Sequence, residues 1–150
     1  MNAAQKDMAS IRQIVVATDG SSHSLAALRA ALELAGQLHA DLEALFVEEL
    51  DLLRLADLPC SRIMSLSLLQ GMPTNRSSME RLMRLQAARV QRVLSQWAPA
   101  LGVRAHLRTV RGSLPEELAQ AAAKADLVGL GKASHGRHSP AHVGAALKAA

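Results

Sequence analysis

Two short segments of the chain carry residue types that could bind a small polar ligand. The first, TDGSS at residues 18–22, follows the apolar run IRQIVVA and contains Asp19. The Asp19 carboxylate can accept a hydrogen bond from a hydroxyl or an amine. The second segment begins at Gly131, after DLVGL, and contains several glycine, serine and histidine residues. Glycine lets backbone N–H groups approach an anion closely, so the second segment is a candidate anion-binding loop.

The histidines of the second segment have an alternative interpretation. His135, His138 and His142 lie close together in sequence, and imidazole is a common ligand of transition metals. Lys132 and Arg137 add positive charge to the same segment, which would repel a metal cation and attract an anion. We therefore expect an anion and no metal there.

A possible hydrolytic triad and a single cysteine are weaker candidates for reactive sites than the two segments above. Asp19, Ser21 and His23 have the side chains of a hydrolytic triad, but such groups normally converge from separate segments. Asp19 is also a residue type that binds its own backbone in turns. Cys60 is the only cysteine, and we interpret it as a packing residue. We name no catalytic residue.

Composition narrows the class of protein. The chain is 49% hydrophobic and 20% charged, which is typical of a folded soluble domain. A single cysteine fits a reducing compartment. The N-terminal residues lack the apolar core of a signal peptide, and no apolar run approaches the ~18 residues of a membrane span. The net charge is +4, but one Trp, one Phe and no Tyr leave few rings to stack on bases. We expect a cytoplasmic protein that binds neither membrane nor nucleic acid.

Hydrophobic periodicity predicts a β-α-β unit in the first third of the chain. Residues 11–17 form a β-branched run typical of a strand buried on both faces. Ser21 or Ser22 can cap a helix that ends near Leu38. Residues 42–47, LEALFV, are a second strand candidate. Because a helix joins the two strands, they should be parallel.

The middle of the chain combines an insertion with a second crossover helix. Residues 50–77 are interpreted as an insertion that contains one short helix. Residues 79–97 have one apolar helical face, and their arginines fit the charged outer face of such a helix. We expect Pro99 and Gly102 to end it.

The last third predicts a further strand, helix and strand. Residues 103–110 alternate, with one more polar face, and Ser113 is a candidate cap for the next helix. Residues 126–131 predict the fourth strand, and the chain finishes in what looks like the start of a final helix. The order β-α-β-α-β-α-β predicts one α/β domain over residues 1–150, a doubly wound open parallel sheet in three layers, α/β/α.

Four segments, in this order and spacing, resemble the universal stress protein family over nearly the whole chain. They are VVATDGS, FVEE, RGSLPEEL and DLVGLG. In nucleotide-binding members of that family, the acidic residue that ends the first strand contacts adenosine, and the matching residue is Asp19, beside Thr18. The resemblance implies that Val47 lies against the adenine and that Leu130 covers its other side.

The resemblance also places a phosphate loop, G-x2-G-x9-G-[ST], at the second segment. Read from Gly131, it puts Ser134 at the second glycine, Gly144 at the third and Ala145 at the hydroxyl position. A lost hydroxyl donor is worth about 0.5–1.5 kcal/mol. The resemblance therefore implies a regulatory module with a role in the stress response, which binds ATP or another adenine nucleotide weakly, with Mg²⁺ accompanying it.

Two alternatives remain open. The family's closing strand has no counterpart here, so the fourth strand would be an exposed edge able to pair with another chain. The protein would then be a nucleotide-free interaction module that self-associates through this edge and the apolar residues 52–69. We also expect the natural protein to continue into a second similar domain. The related ATP-pyrophosphatases carry a loop resembling SGGxDS after the first strand, and ATDGSSHS lacks that pattern.

Overall fold

A computed structural model describes residues 10–57 and 75–131. Its strands are β1 (Gln13–Thr18), β2 (Asp41–Glu49), β3 (Ala105–Gly112) and β4 (Leu127–Gly131). Its helices are α1 (Ser22–Leu38), α2 (Leu50–Ala56), α3 (Arg76–Leu101) and α4 (Leu114–Lys124). The strands form a 4-stranded sheet of order β3-β2-β1-β4, and every neighbouring pair is parallel. The predicted open, doubly wound α/β sheet is confirmed.

The sheet is covered by helices on both faces. Ile14 and Val16 of β1 belong to a core shared with α1 and α3. Val15 of β1 points the opposite way and packs with Ala121 and Ala125, at and just beyond the end of α4. This two-sided burial explains why β1 is a continuous apolar run.

Helix α1 has the predicted limits. The Ser21 hydroxyl accepts a hydrogen bond from the backbone N–H of Ser24 at 3.3 Å, which satisfies one of the unpaired donors of the first turn. The helix ends at Leu38, where His39 takes a left-handed conformation with a φ of 54°. The Ser21 cap therefore fixes the N-terminus of α1 directly after β1.

Helix α3 is longer than predicted, and Pro99 does not end it. The helix continues to Leu101, and Gly102 closes it with a φ of 68°. Pro99 removes the hydrogen bond to the carbonyl of Ser95, but both residues lie on the exposed face, where water can replace that bond. Gly102 is therefore the terminator, as its left-handed conformation requires.

The remaining boundaries also differ from the prediction. β3 starts at Ala105 because the Val103 N–H bonds to the Ala98 carbonyl and so completes the end of α3. Ser113 occupies the N-cap position of α4, but its side chain makes no capping hydrogen bond. β1 begins at Gln13 rather than at residue 11.

Asp126 connects the start of β4 to β1. Its carboxylate accepts hydrogen bonds from the backbone N–H groups of Arg12 (2.9 Å) and Gln13 (3.0 Å). Because these bonds stabilise the charged form, the pKa of Asp126 lies below its usual value of 3.8. The carboxylate thus helps to set the register of the two strands.

Part of the predicted organisation lies outside the described residues. Helix α2 falls within the predicted insertion, but residues 58–74, which include Cys60, are not described, and neither is the predicted final helix. Among the helices of the described part, none combines the length and apolarity that crossing a membrane requires.

Candidate functional site

The carboxyl ends of three strands meet at the switch point of the sheet. The chain passes from β1 to β2 to β3 in one direction and then returns to place β4 on the other side of β1. Thr18 is in register with Phe46 of β2 and with Gly131 of β4, so these strands end at the same edge. Ligands of doubly wound sheets bind at this kind of crevice.

Thr18 supports the loop after β1 from the inside. Its buried hydroxyl donates a hydrogen bond to Ser24 Oγ at 2.9 Å and accepts one from the Gly20 N–H at 3.3 Å. Ser24 Oγ in turn donates to the Ser21 carbonyl at 3.0 Å. The Thr18 hydroxyl is therefore occupied within the protein, and Thr18 borders the site as a structural residue.

Asp19 stabilises the turn after β1 and also lines the site. Its Oδ1 accepts a hydrogen bond from the Ser21 N–H at 2.9 Å, which is the backbone-binding role expected of aspartate in a turn. This bond orients the carboxylate at the end of β1. The Ser21 hydroxyl is committed to the cap of α1, and His23 is exposed, so the triad interpretation has no geometric support.

Two glycines let the elements around the site approach closely. Gly20 has a φ of 73°, and a Cβ placed there would lie 2.8 Å from the carbonyl oxygen of Gln86 in α3. A Cβ at Gly131 would lie 2.9 Å from Cβ of Ala27 and from Cα of Ser24. The loop after β1 and the end of β4 are thus packed against helix backbone and have little room to shift.

A cavity of about 40 Å³ opens at this edge. It is lined by residues from all the converging elements: Ala17, Thr18, Asp19, Val47, Glu49, Leu114, Leu130 and Gly131. Thr18, Asp19, Val47, Leu130 and Gly131 are the predicted site residues among them. The predicted loop positions Ser134, Gly144 and Ala145 lie outside the described residues.

Sequence reasoning missed three residues that line the cavity. Ala17 precedes Thr18 on β1, and Leu114 begins α4. Glu49 was missed because the predicted second strand ended at Val47, whereas β2 runs to Glu49. The FVEE segment contained the signal, since Glu49 lies on the same face of an extended strand as Val47.

The described residues hold no candidate metal centre. Within residues 10–57 and 75–131, no three or more histidine, cysteine, aspartate or glutamate side chains are grouped so that they could hold an ion. The three histidines considered from sequence lie after Gly131, outside this range. The lining that the structure describes offers the carboxylates of Asp19 and Glu49 together with apolar surface.

Strand order, helices on both faces and a cavity at the switch point define a doubly wound α/β protein. The chain belongs to the universal stress protein family, whose family model matches residues 10–145. No curated protein matches the chain. The family resemblance is confirmed by the family match.

Solved structures of the same family resemble the chain. A universal stress family protein from Burkholderia pseudomallei is 26% identical, with 83% of each chain covered and a TM-score of 0.55. Universal stress protein UspA from Lactobacillus plantarum is 21% identical over 90% of this chain and 88% of its own, with a TM-score of 0.51, and shows the fold alone. A universal stress protein in complex with cAMP is 22% identical over 80% and 71% of the two chains, with a TM-score of 0.43. The bound cAMP is reported for that protein and not for this chain.

Proposed function

We propose that this chain is a regulatory module that binds an adenine nucleotide at the cavity beside Asp19. The single observation that carries the proposal is the convergence of Asp19, directly after β1, Val47 of β2 and Leu130 of β4 on one cavity at the switch point. Family membership supports the same function, as does the resemblance of the sequence after Gly131 to a phosphate-binding motif.

The chemistry of the lining fits a nucleoside. Val47, Leu114 and Leu130 present apolar side chains that can pack on the faces of a purine. The Asp19 carboxylate, held by the Ser21 N–H, can accept a hydrogen bond from a ribose hydroxyl or an adenine amine. These contacts position the ligand and move no proton, so the proposed role is regulatory.

Phosphate binding is assigned to the segment that follows Gly131. Lys132 and Arg137 contribute positive charge there, and Mg²⁺ would accompany ATP. Alanine at the hydroxyl position removes one donor to the phosphate, so we propose weak binding. A cytoplasmic location and a role in the stress response complete the proposal.

Thermal denaturation with and without AMP or Mg-ATP tests this function. A ligand at 100 times its Kd stabilises the folded state by about 2.7 kcal/mol, which raises Tm by about 5–10 °C in a chain of this size. Asp19→Asn keeps an oxygen for the Ser21 N–H but loses the charge, and should abolish most of the shift. Asp41→Asn is the matched control. Asp41 is the first residue of β2, so it lies at the opposite end of the strands from the cavity, and it pairs with Arg104 at 3.0 Å.

Two results would contradict the function. One is the absence of any shift in folded wild-type protein at millimolar ligand. The other is an equal loss of the Tm shift in the two variants, because the effect of Asp19→Asn would then reflect the change in net charge and not a contact with the ligand.

A second candidate function is self-association through the edge of the sheet. β4 is the outermost described strand on its side, and an apolar groove of about 280 Å³ runs between it and α1. Leu34 lines this groove and is 37% exposed. A second copy of the chain, aligned along β4, would cover both the groove and the side of the strand that pairs with no described segment.

Sedimentation equilibrium distinguishes this candidate. Leu34→Glu should convert a dimer to a monomer, whereas Leu85→Glu should leave it intact, because Leu85 lies on α3, is 53% exposed and does not line the groove. A monomeric wild-type protein would exclude this candidate.

A further inference from the structure

The outer side of helix α3 is strongly basic. It carries four exposed arginines, which we call the arginine face: Arg81, Arg84, Arg89 and Arg92. At about 100° per residue, these arginines lie on the side of the helix opposite Met83, Val90 and Leu94, which pack into the core. The face extends for about 16 Å along the helix, at about 1.5 Å per residue.

The carboxylates of the chain do not neutralise the arginine face. α3 contains no acidic residue after Glu80, and Glu80 and Asp57 both pair with Arg76, at 3.1 and 3.0 Å. The four arginines make no ion pair or hydrogen bond with any part of the chain that the structure describes. The neighbouring helix α1 carries one arginine and one glutamate, which offset each other. Outside the described ranges the sequence has a single acidic residue, Asp7, so those segments cannot supply the missing negative charge.

The arginine face is unfavourable for the free helix. Arg81 and Arg84 are three residues apart, as are Arg89 and Arg92, and like charges at this spacing repel each other on a helix. The exposed side of a helix more commonly mixes both signs of charge. A densely negative partner would relieve this repulsion.

The composition of the face favours the phosphates of a duplex over an acidic protein. Arginine binds phosphate through two parallel hydrogen bonds, and a DNA duplex carries about one negative charge per 1.7 Å of its axis. Protein interfaces are centred on aromatic and aliphatic anchors. In α3, all of which the structure describes, Leu85 is the only exposed large apolar side chain.

We propose that the arginine face binds the phosphate backbone of a nucleic-acid duplex, independently of its base sequence. The expectation that the protein binds no nucleic acid rested on the scarcity of rings that could stack on bases. Contacts with phosphates need no rings. The face is separate from the nucleotide cavity, which none of the four arginines lines, so the two proposals can fail independently.

Fluorescence anisotropy tests the proposal with a labelled DNA duplex of about 20 base pairs and mixed sequence, titrated with the full chain at several salt concentrations. Wild-type protein should bind with a micromolar Kd at about 50 mM salt. A plot of log K against log salt should have a slope of about −4, since each phosphate contact contributes about −0.9. Arg81→Gln/Arg92→Gln should weaken binding by at least about tenfold and reduce the slope to about −2.

Arg12→Gln/Lys124→Gln is the matched control. It removes the same number of charges from exposed positions, but Arg12 precedes β1 and Lys124 ends α4, on the face of the sheet opposite α3. This variant should keep the wild-type slope and an affinity within about twofold, because salt screens distant charges. Circular dichroism should show that both double variants melt as the wild type does, since glutamine is a good helix former.

Three results would overturn the proposal. The first is no binding of the duplex at about 100 μM protein and low salt. The second is a slope that Arg81→Gln/Arg92→Gln leaves unchanged, or that the control reduces equally. The third is displacement of the labelled duplex by poly-L-glutamate as effectively as by unlabelled duplex of the same total charge, which would assign the face to an acidic protein. Unlabelled duplex should instead compete at least about tenfold better, because its charges are more closely spaced.

Discussion

Replacement of Gly20 by alanine should destabilise the protein for two separable reasons. At a φ of 73°, a residue with a Cβ is strained by about 1–2 kcal/mol. The added Cβ would also lie 2.8 Å from Cβ and from the carbonyl oxygen of Gln86, and 3.0 Å from its Cα. Two of these atoms belong to the backbone of α3, so the helix or the loop must move, which typically costs about 1–3 kcal/mol. The expected loss is about 2–5 kcal/mol.

Gly102 provides the matched control. Its φ of 68° is nearly the same, but a Cβ built there meets nothing within 4 Å. Gly102→Ala should therefore show the backbone strain alone, about 1–2 kcal/mol. The difference between the two variants isolates the contact with Gln86.

Urea denaturation followed by circular dichroism measures both losses. Gly20→Ala should unfold at clearly lower urea and melt several degrees below Gly102→Ala, at about 2–4 °C per kcal/mol. Equal losses in the two variants would refute the argument that α3 supports the loop carrying Asp19.

Three further predictions concern other contacts. Thr18→Val should lower the unfolding free energy by about 1–3 kcal/mol in urea denaturation, because the buried N–H of Gly20 loses its acceptor, whereas Thr18→Ser should lose less. Asp126 has a lowered pKa in the folded state, so its stabilising effect is present above its unfolded pKa and is lost as pH falls through the folded value. The difference in Tm between wild type and Asp126→Asn should therefore shrink below about pH 4. Arg29→Ala should cost about 0.5–1 kcal/mol in urea denaturation, because the guanidinium lies 3.9 Å from the centre of the Trp97 ring. An unaltered unfolding free energy in Thr18→Val or Arg29→Ala, or a Tm difference for Asp126→Asn that does not depend on pH, would contradict the stabilising role of the corresponding contact.

The sequence predicted the elements better than their ends. The apolar run of β1 and the serine cap of α1 are local signals, and both led to correct elements. The end of β2 was wrong because two glutamates look like the start of a loop. In the fold they stay in the strand, paired with Arg111 and Gly112 of β3, and pairing with a distant segment leaves no mark in the local pattern.

The candidate site could be predicted where a motif names its residues. Asp19, Val47, Leu130 and Gly131 came from the family resemblance, and the cavity contains them all. Leu114 lies within the segment RGSLPEEL, but that segment named no site residue, and the position of Leu114 at the cavity depends on how α4 crosses the sheet from β3 to β4. Helix packing of this kind depends on contacts between segments far apart in sequence.

The most direct test of the central claim is an amide chemical-shift map of the protein titrated with AMP. We predict that the largest changes fall at Asp19, Val47, Glu49, Leu114 and Leu130, the residues that line the cavity at the switch point. No change at millimolar AMP, or changes confined to the groove beside Leu34, would contradict the claim that this edge of the sheet binds an adenine nucleotide.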